Sequence, residues 1–402
     1  MEKSKGMPVF GKIILGIIIT LVVLVVAAAL FLGHEFKDEI ASFKSLEEIN
    51  PGDSADGRHV YSMDVKGNYY MDAFIARGGV KSTEDLMIFL TEQLSRGMYK
   101  PPAASLAAAG CSSFAAELES GKRIFCRNYD MDFFTPIIIL KTAPDDGRYA
   151  SISTVDLGNL GVSGEGIKGM QEQVLALAGV YVPMDGVNEK GLAVSIHMSY
   201  QGPGENHVST DMNTGKLGVT STSMLRLMLD KAANVDEAVE IAKNIDLHED
   251  IGHSFHYMLA DSSGKTAVLQ WINGKDSTDT DGSNRKLVVI YGSDRNSYIE
   301  SQNYRIITNF ITAKGYYEQG DKMVGTGRYE MLDRQLALKG GKLKSDIEAM
   351  DLLNMVAWSK TESVEGFSIF SVVYNLSDKS AFLVPYEDYD NPNAMIRYDL
   401  ND

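Results

Sequence analysis

Cysteine is nearly absent from this 402-residue chain: there are two, Cys111 and Cys126. That excludes a disulfide-built scaffold and a cysteine-rich zinc module, which need four or more at short spacing. A basic surplus is missing as well, with 38 Lys and Arg against 54 Asp and Glu and a formal net charge of -16. Such a chain offers no concentrated basic face for phosphate, so a nucleic-acid partner is excluded. No Walker-type or dinucleotide glycine signature stands between a strand and a helix, and the glycines at 158–169 read as a loop. No cofactor is expected. Internal repeats are lacking too, and DSTDTDGSN at 276–284 is a polar loop.

What is present is ordinary globular composition, 44% hydrophobic and 23% charged, with one abrupt departure. Residues Ile13 to Gly33 read IILGIIITLVVLVVAAALFLG without a charge. A helix of about 20 apolar residues matches the roughly 30 Å hydrocarbon core of a bilayer. Lys3, Lys5 and Lys12 precede the run and Glu35, Asp38 and Glu39 follow it, so the positive-inside rule leaves the body outside the cytoplasm. The apolar core of a signal peptide is shorter, about 7–15 residues, which favours an uncleaved anchor in the cell membrane.

The expected organisation is a cytoplasmic tail at 1–12, a transmembrane anchor at 13–33, an extracytoplasmic stalk, propeptide or small subunit at 34–110, and a catalytic domain at 111–402. The stretch FKDEIASFKSLEEINPGDSADGR reads as a stalk ending in turns. STEDLMIFLTEQLSRG reads as an amphipathic helix with Ser82 as N-cap and Leu86, Phe89, Leu90 and Leu94 on one face. The Pro- and Ala-rich segment 98–110 reads as an accessible connection. From Cys111 onward, strand-like runs such as RIFCRNY, PIIILKTA, LAVSIHMSY, TAVLQWI and FSIFSVVYN predominate. Helical patterns at about 220–245 and 345–359 interrupt them, which suggests an α+β domain of stacked antiparallel sheets with helices outside.

CSSFAAEL and RIFCRNYD read as a hairpin around Ser120-Gly121-Lys122, with Cys111 near Asp130 and Cys126 several residues along. An offset of roughly 13 Å exceeds the reach of a disulfide. One structural bridge is the competing reading. Left unbridged, Cys111 is a candidate nucleophile that needs a base. His197, His207, His248, His253 and His256 lie in no recognisable catalytic context. His248, Glu249, Asp250 and His253 are the nearest approach to a metal site and read as solvated loop. The other source of a base is the α-amine of Cys111 itself, with an ordinary pKa of about 7.7–8.0, which requires cleavage after Gly110.

The run CSSFAAELESGKRIFCRNYDMDF resembles the opening of the choloylglycine hydrolase family, the linear-amide N-terminal-nucleophile hydrolases that include bile salt hydrolases and penicillin V acylases. DGVNEKGLAVSIHMSY, RIITNF and GTGRYEML resemble its later blocks, in order, over about 111–390. The resemblance implies a four-layer αββα sandwich of two antiparallel sheets. It also implies a site of Cys111, Arg127, Asp130, Asn188, Asn309 and Arg328: Asp130 bonds the Cys111 amine, Arg127 polarises the site, and Asn188 and Asn309 stabilise the oxyanion. Arg127 and Asp130 could equally be a cross-strand ion pair, Asn188 a turn residue and Arg328 a surface residue.

The 110 residues before the cysteine depart from the short members and resemble the acid ceramidase and N-acylethanolamine amidase relatives, whose N-terminal piece is cut and retained. Release of the enzyme from the membrane is the alternative. The expected activity is hydrolysis of a small N-acyl amide through a thioester. Acyl transfer to an amine, and a non-catalytic anchored binding domain, are the competing readings. The expected partners are that small-molecule substrate and the lipid bilayer through 13–33; a homo-oligomer stays open.

Overall fold

The computed structural model describes residues 33–49, 57–95, 109–201, 209–250, 252–273, 282–292, 303–361 and 366–400. The apolar run 13–33, apart from Gly33, lies outside the described residues, as do the tail 1–12 and most of the connection 98–110. No helix among the described residues is long and apolar enough to cross a membrane.

The strands are β1 (Glu47–Glu48), β2 (Val60–Val65), β3 (Ala109–Leu118), β4 (Arg123–Met131), β5 (Ile137–Thr142), β6 (Ser151–Asp156), β7 (Asp185–Asn188), β8 (Ala193–Ser199) and β9 (Leu217–Val219). They continue with β10 (Ile245–Leu247), β11 (Ser254–Ala260), β12 (Thr266–Ile272), β13 (Lys286–Tyr291), β14 (Arg305–Ile307), β15 (Lys342–Leu343), β16 (Phe367–Asn375), β17 (Ser380–Pro385) and β18 (Ile396–Asp399). The helices are α1 (Lys37–Ser45), α2 (Met71–Ala76), α3 (Thr83–Ser95), α4 (Met170–Ala178), α5 (Ser221–Lys231), α6 (Val235–Lys243), α7 (Thr326–Leu338), α8 (Asp346–Met355) and α9 (Trp358–Thr361).

Two sheets stack. A nine-stranded sheet runs β1-β2-β5-β6-β7-β8-β11-β12-β13, and a seven-stranded sheet runs β14-β3-β4-β16-β17-β18 with β15 on β3. Period-2 alternation splits the core between them. Cys111, Ala115, Phe125 and Tyr129 face the nine-stranded sheet, whereas Phe114, Ala116, Ile124 and Cys126 join a second core with Leu332, Leu336 and Leu353 of α7 and α8. Helices α5 and α6 pack on the outer side, against β8 and β11. The layers are helices, sheet, sheet, helices, as expected.

Three expectations need correction. The sheets are not purely antiparallel: β2 pairs in parallel with β5, Val60 opposite Ile137, and β15 pairs in parallel with β3. In place of a bare stalk, the described residues 33–49 and 57–95 are folded, as the small-subunit alternative requires. The Ser42 and Ser45 hydroxyls of α1 accept the backbone N–H groups of Lys66 and Asp64, both at 2.9 Å, which fastens the helix to the end of β2. The single helix expected at 220–245 is two, because the Asn234 side chain caps α6 by accepting from Glu237 N at 3.0 Å and breaks the run. Helix α3 has its expected N-cap, Ser82 Oγ accepting from Asp85 N at 2.9 Å.

Candidate active site

The hairpin of β3 and β4 builds the centre of the site. Gly121, in the left-handed region at φ +86, closes the turn, and Gly121 N–H donates to Leu118 O at 2.8 Å. The resulting register sets Cys111 opposite Tyr129, Gly110 opposite Asp130 and Phe114 opposite Cys126. Cys111 and Cys126 are both free and buried on opposite faces of the sheet, so no bridge forms. Arg127, opposite Ser113, shares the Cys111 face.

Arg127 Nη2 donates to Cys111 Sγ at 3.3 Å, while Nη1 donates to Asp185 Oδ2 at 3.1 Å and to the Met184 carbonyl. Its guanidinium lies 5.3 Å from the Tyr129 ring centroid. Burial pushes the Cys111 thiol up from its ordinary value, and Arg127 opposes it by favouring the thiolate. Asp185 is buried at the start of β7 and also accepts from Tyr374 OH; it fixes the guanidinium that addresses the sulfur. Sequence reasoning missed it, although it stands three residues before Asn188 in the same quoted block.

The backbone nitrogen of Cys111 meets a second group. Cys111 N–H donates to Asn309 Oδ1 at 3.3 Å, and the same oxygen accepts from Arg328 Nη2 at 2.7 Å. Asn309 Nδ2 donates to Met198 O at 2.8 Å, tying the segment just after β14 to β8. Arg328, in the first turn of α7 and 1% exposed, also donates from Nη1 to Asp130 Oδ2 at 2.8 Å. Ser368 Oγ donates to Asp130 Oδ1 at 2.6 Å. Five of the six expected residues therefore converge: Cys111, Arg127, Asp130, Asn309 and Arg328.

Two of the expected roles do not match the geometry. Asp130, opposite Gly110, is engaged with Arg328 and Ser368, and the Cys111 nitrogen is met by Asn309 instead. Burial raises the Asp130 carboxyl to about 6 against the opposing pull of Arg328. Asn188 stands apart from the cluster. Its Nδ2 donates to Leu229 O and Ala232 O at 2.9 and 2.8 Å, and its Oδ1 accepts from Lys190 N and Leu192 N, both at 3.1 Å. These bonds lock the β7–β8 turn to the end of α5, the bland reading of V-N-E-K-G.

The histidines find partners away from the thiol. His197 Nε2 pairs with Ser195 Oγ at 2.7 Å and Ser113 Oγ at 3.2 Å, and His256 Nε2 pairs with Thr308 O at 2.8 Å. Burial lowers both imidazoles, His256 to about 4, so they are neutral at pH 7. His248 pairs with Asp211, Glu249 with Tyr257 and Ser221, and Asp250 with Thr83; His207 lies outside the described residues.

Cys111 and Arg127 open onto a cavity of about 80 Å³. Its wall is mostly apolar, with Met184, Ile196, Met198 and Phe255, and its lining also includes Ser221, His248 and Glu249. Leu86 and Met87 of α3, which precede the cysteine in the chain, line it too. Burial raises the Glu249 carboxyl above its ordinary range.

Fold and site together define a two-sheet αββα protein with a buried thiol and guanidinium at the start of a central hairpin. Residues 173–309 match the model of the family described as acyl-coenzyme A:6-aminopenicillanic acid acyl-transferase. Penicillin V acylase of Pectobacterium atrosepticum is 27% identical over 208 residues, which is 47% of this chain and 46% of that protein. The chain is a relative of penicillin V acylase and spans about half the length of that relative. Among solved structures, a mutant of conjugated bile acid hydrolase from Clostridium perfringens matches at 17% identity and TM-score 0.48, over 72% of this chain and 92% of that one. Penicillin V acylase from Agrobacterium tumefaciens matches at 13% identity and TM-score 0.40, over 68% and 83%.

Proposed function

We propose that this protein hydrolyses the C–N bond of small linear N-acyl amides, with Cys111 as nucleophile after cleavage of the Gly110–Cys111 bond. The observation that carries the reading is the pairing at one residue: Cys111 Sγ lies 3.3 Å from Arg127 Nη2, and Cys111 N lies 3.3 Å from Asn309 Oδ1. Once the chain is cut, that nitrogen is a free amine, and the nearby arginines favour its neutral form. The amine takes the thiol proton, the thiolate attacks the substrate carbonyl, and the amine returns the proton to the leaving group. Asn309 commits one amide hydrogen to Met198 O and offers the other to the oxyanion. Water then cleaves the thioester. The apolar cavity suits an uncharged acyl chain.

Retention of the N-terminal piece after cleavage is supported by its share of the fold, since β2 lies between β1 and β5 and α3 walls the cavity. Anchoring through 13–33, with the catalytic domain extracytoplasmic, is supported by the apolar run and its charge flanks. N-terminal sequencing of active protein is expected to return a second chain beginning at Cys111, and hydroxylamine to trap the acyl group. Cys111→Ala is expected to stay uncut and inactive; full amidase activity in that variant would refute the proposal. The matched family's description favours a second reading, acyl transfer to an amine. An added amine acceptor that captures the acyl group faster than water does would establish it.

A further inference from the structure

The bond before Cys111 lies against an aromatic ring that the hydrolytic reading does not use. A Cβ placed on Gly110 would sit 1.8 Å from Cζ3 and 2.3 Å from Cε3 of Trp358, so the indole occupies the space where any side chain at position 110 would go. The residue is held from several sides. The Trp358 backbone N–H donates to Ser368 Oγ at 3.1 Å, and that hydroxyl donates to Asp130. The Arg328 guanidinium stands 5.3 Å from the ring centroid. On the far edge, a Cβ on Gly366 would lie 2.3 Å from Nε1. Two glycines packed on one indole, and the link from the Trp358 backbone through Ser368 to Asp130 directly across from Gly110, make a fixed seat for the Gly110 peptide.

We propose that Trp358 is a positioning residue for cleavage of the chain: the indole holds Gly110 in register so that its carbonyl carbon stays within reach of the Cys111 sulfur. This rests on the reading that the chain is cut before Cys111. In the step, a bond forms between Sγ and the Gly110 carbonyl carbon and the peptide C–N bond breaks. The thiol proton goes to the departing nitrogen, which becomes the α-amine. Water then adds hydroxyl to Gly110 and returns hydrogen to sulfur. Trp358 takes no part in bond making; it restricts the peptide to the reactive geometry, where a displacement of about 1 Å costs on the order of 100-fold in rate.

The test is a time course of cleavage of the full chain, followed on denaturing gels, for Trp358→Ala, Trp358→Phe, Gly110→Ala and the double variant Gly110→Ala/Trp358→Ala. The expected result is a slowing of about 10- to 100-fold for Trp358→Ala and about threefold for Trp358→Phe, which keeps a flat ring. Gly110→Ala alone is expected to stall, because its methyl collides with the indole. The double variant is expected to cleave no more slowly than Trp358→Ala alone, since the collision partner is gone and neighbouring effects are not additive. Melting temperatures of the same substitutions in a Cys111→Ala background report folding separately from cleavage, and the milder Trp358→Phe keeps the test open if the alanine variant does not fold. Cleavage of both Trp358 variants at the parental rate, or a multiplicative loss in the double variant, overturns the assignment. A parental chain that stays uncut while hydrolysing amides removes the cleavage reading itself, and the seat with it.

Discussion

Replacing Arg127 with lysine should raise the pKa of the Cys111 thiol. The guanidinium is fully buried and forks between Cys111 Sγ at 3.3 Å and Asp185 Oδ2 at 3.1 Å, a geometry that a single ammonium cannot span. The bond to sulfur is charge-assisted, of a kind that contributes about 1.5–3 kcal/mol, and one pKa unit corresponds to about 1.4 kcal/mol. Burial already raises this thiol, and Arg127 is the largest opposing influence. Losing that opposition therefore shifts the thiol further upward, leaving roughly 10- to 100-fold less thiolate at neutral pH. The assay is the pH dependence of alkylation of Cys111 by a small haloacetamide, in a Cys126→Ser background so that one thiol reports. Arg127→Leu should shift the midpoint in the same direction and also destabilise the fold by about 3–5 kcal/mol, because it strands the buried Asp185 carboxylate. A midpoint that stays in place or falls in Arg127→Lys would refute the thiolate-stabilising role.

Asp130 titrates at about 6, ionised above and protonated below, and its protonation weakens the pair with Arg328. Amide hydrolysis should therefore fall on the acid side with a midpoint near that value, and Asp130→Asn should abolish this limb, leaving a lower, flatter pH profile. Asn188→Ala should cost about 2–4 kcal/mol of stability, since it removes four hydrogen bonds of a buried side chain. Its kcat per folded molecule should change by less than about threefold, whereas loss of an oxyanion donor costs on the order of 100- to 1,000-fold. Met87→Ala enlarges the cavity, so the ratio of kcat/KM for a hexanoyl over a butyryl amide should rise about tenfold, the worth of one or two methylenes. An unchanged ratio would mean that the acyl chain binds elsewhere.

The hairpin was legible because its signals are local: alternating apolar positions, a Gly at the turn, and a spacing that sets Cys111 one position from the partner expected for it. The sequence pattern also sufficed to keep the two cysteines apart. Asn188 shows the opposite case. Its pentapeptide reads as a turn, and a turn it is; only the family resemblance suggested more, and the helix carbonyls of Leu229 and Ala232 take both of its amide hydrogens. Asp185 was illegible because its role depends on an arginine 58 residues earlier, brought close by two sheets packing face to face. Trp358 is a similar case, since nothing local tells that its ring lies on Gly110.

The N-terminal segment is where polar composition misled most. FKDEIASFKS looks like a tether because it is polar, yet it carries α1, fastened by serine hydroxyls that accept backbone N–H groups. VYSMDV is a six-residue strand whose parallel partner begins at Ile137, beyond the candidate nucleophile in sequence. A parallel pair has no hairpin turn to announce it. Cutting the chain before Cys111 therefore cannot release a mere leader: it would separate two pieces that share one sheet and one cavity, and that cavity would lose Leu86 and Met87 if they parted. Helix α1 begins four residues after Gly33, the end of the apolar run, so folded structure starts within about one helical turn of that run.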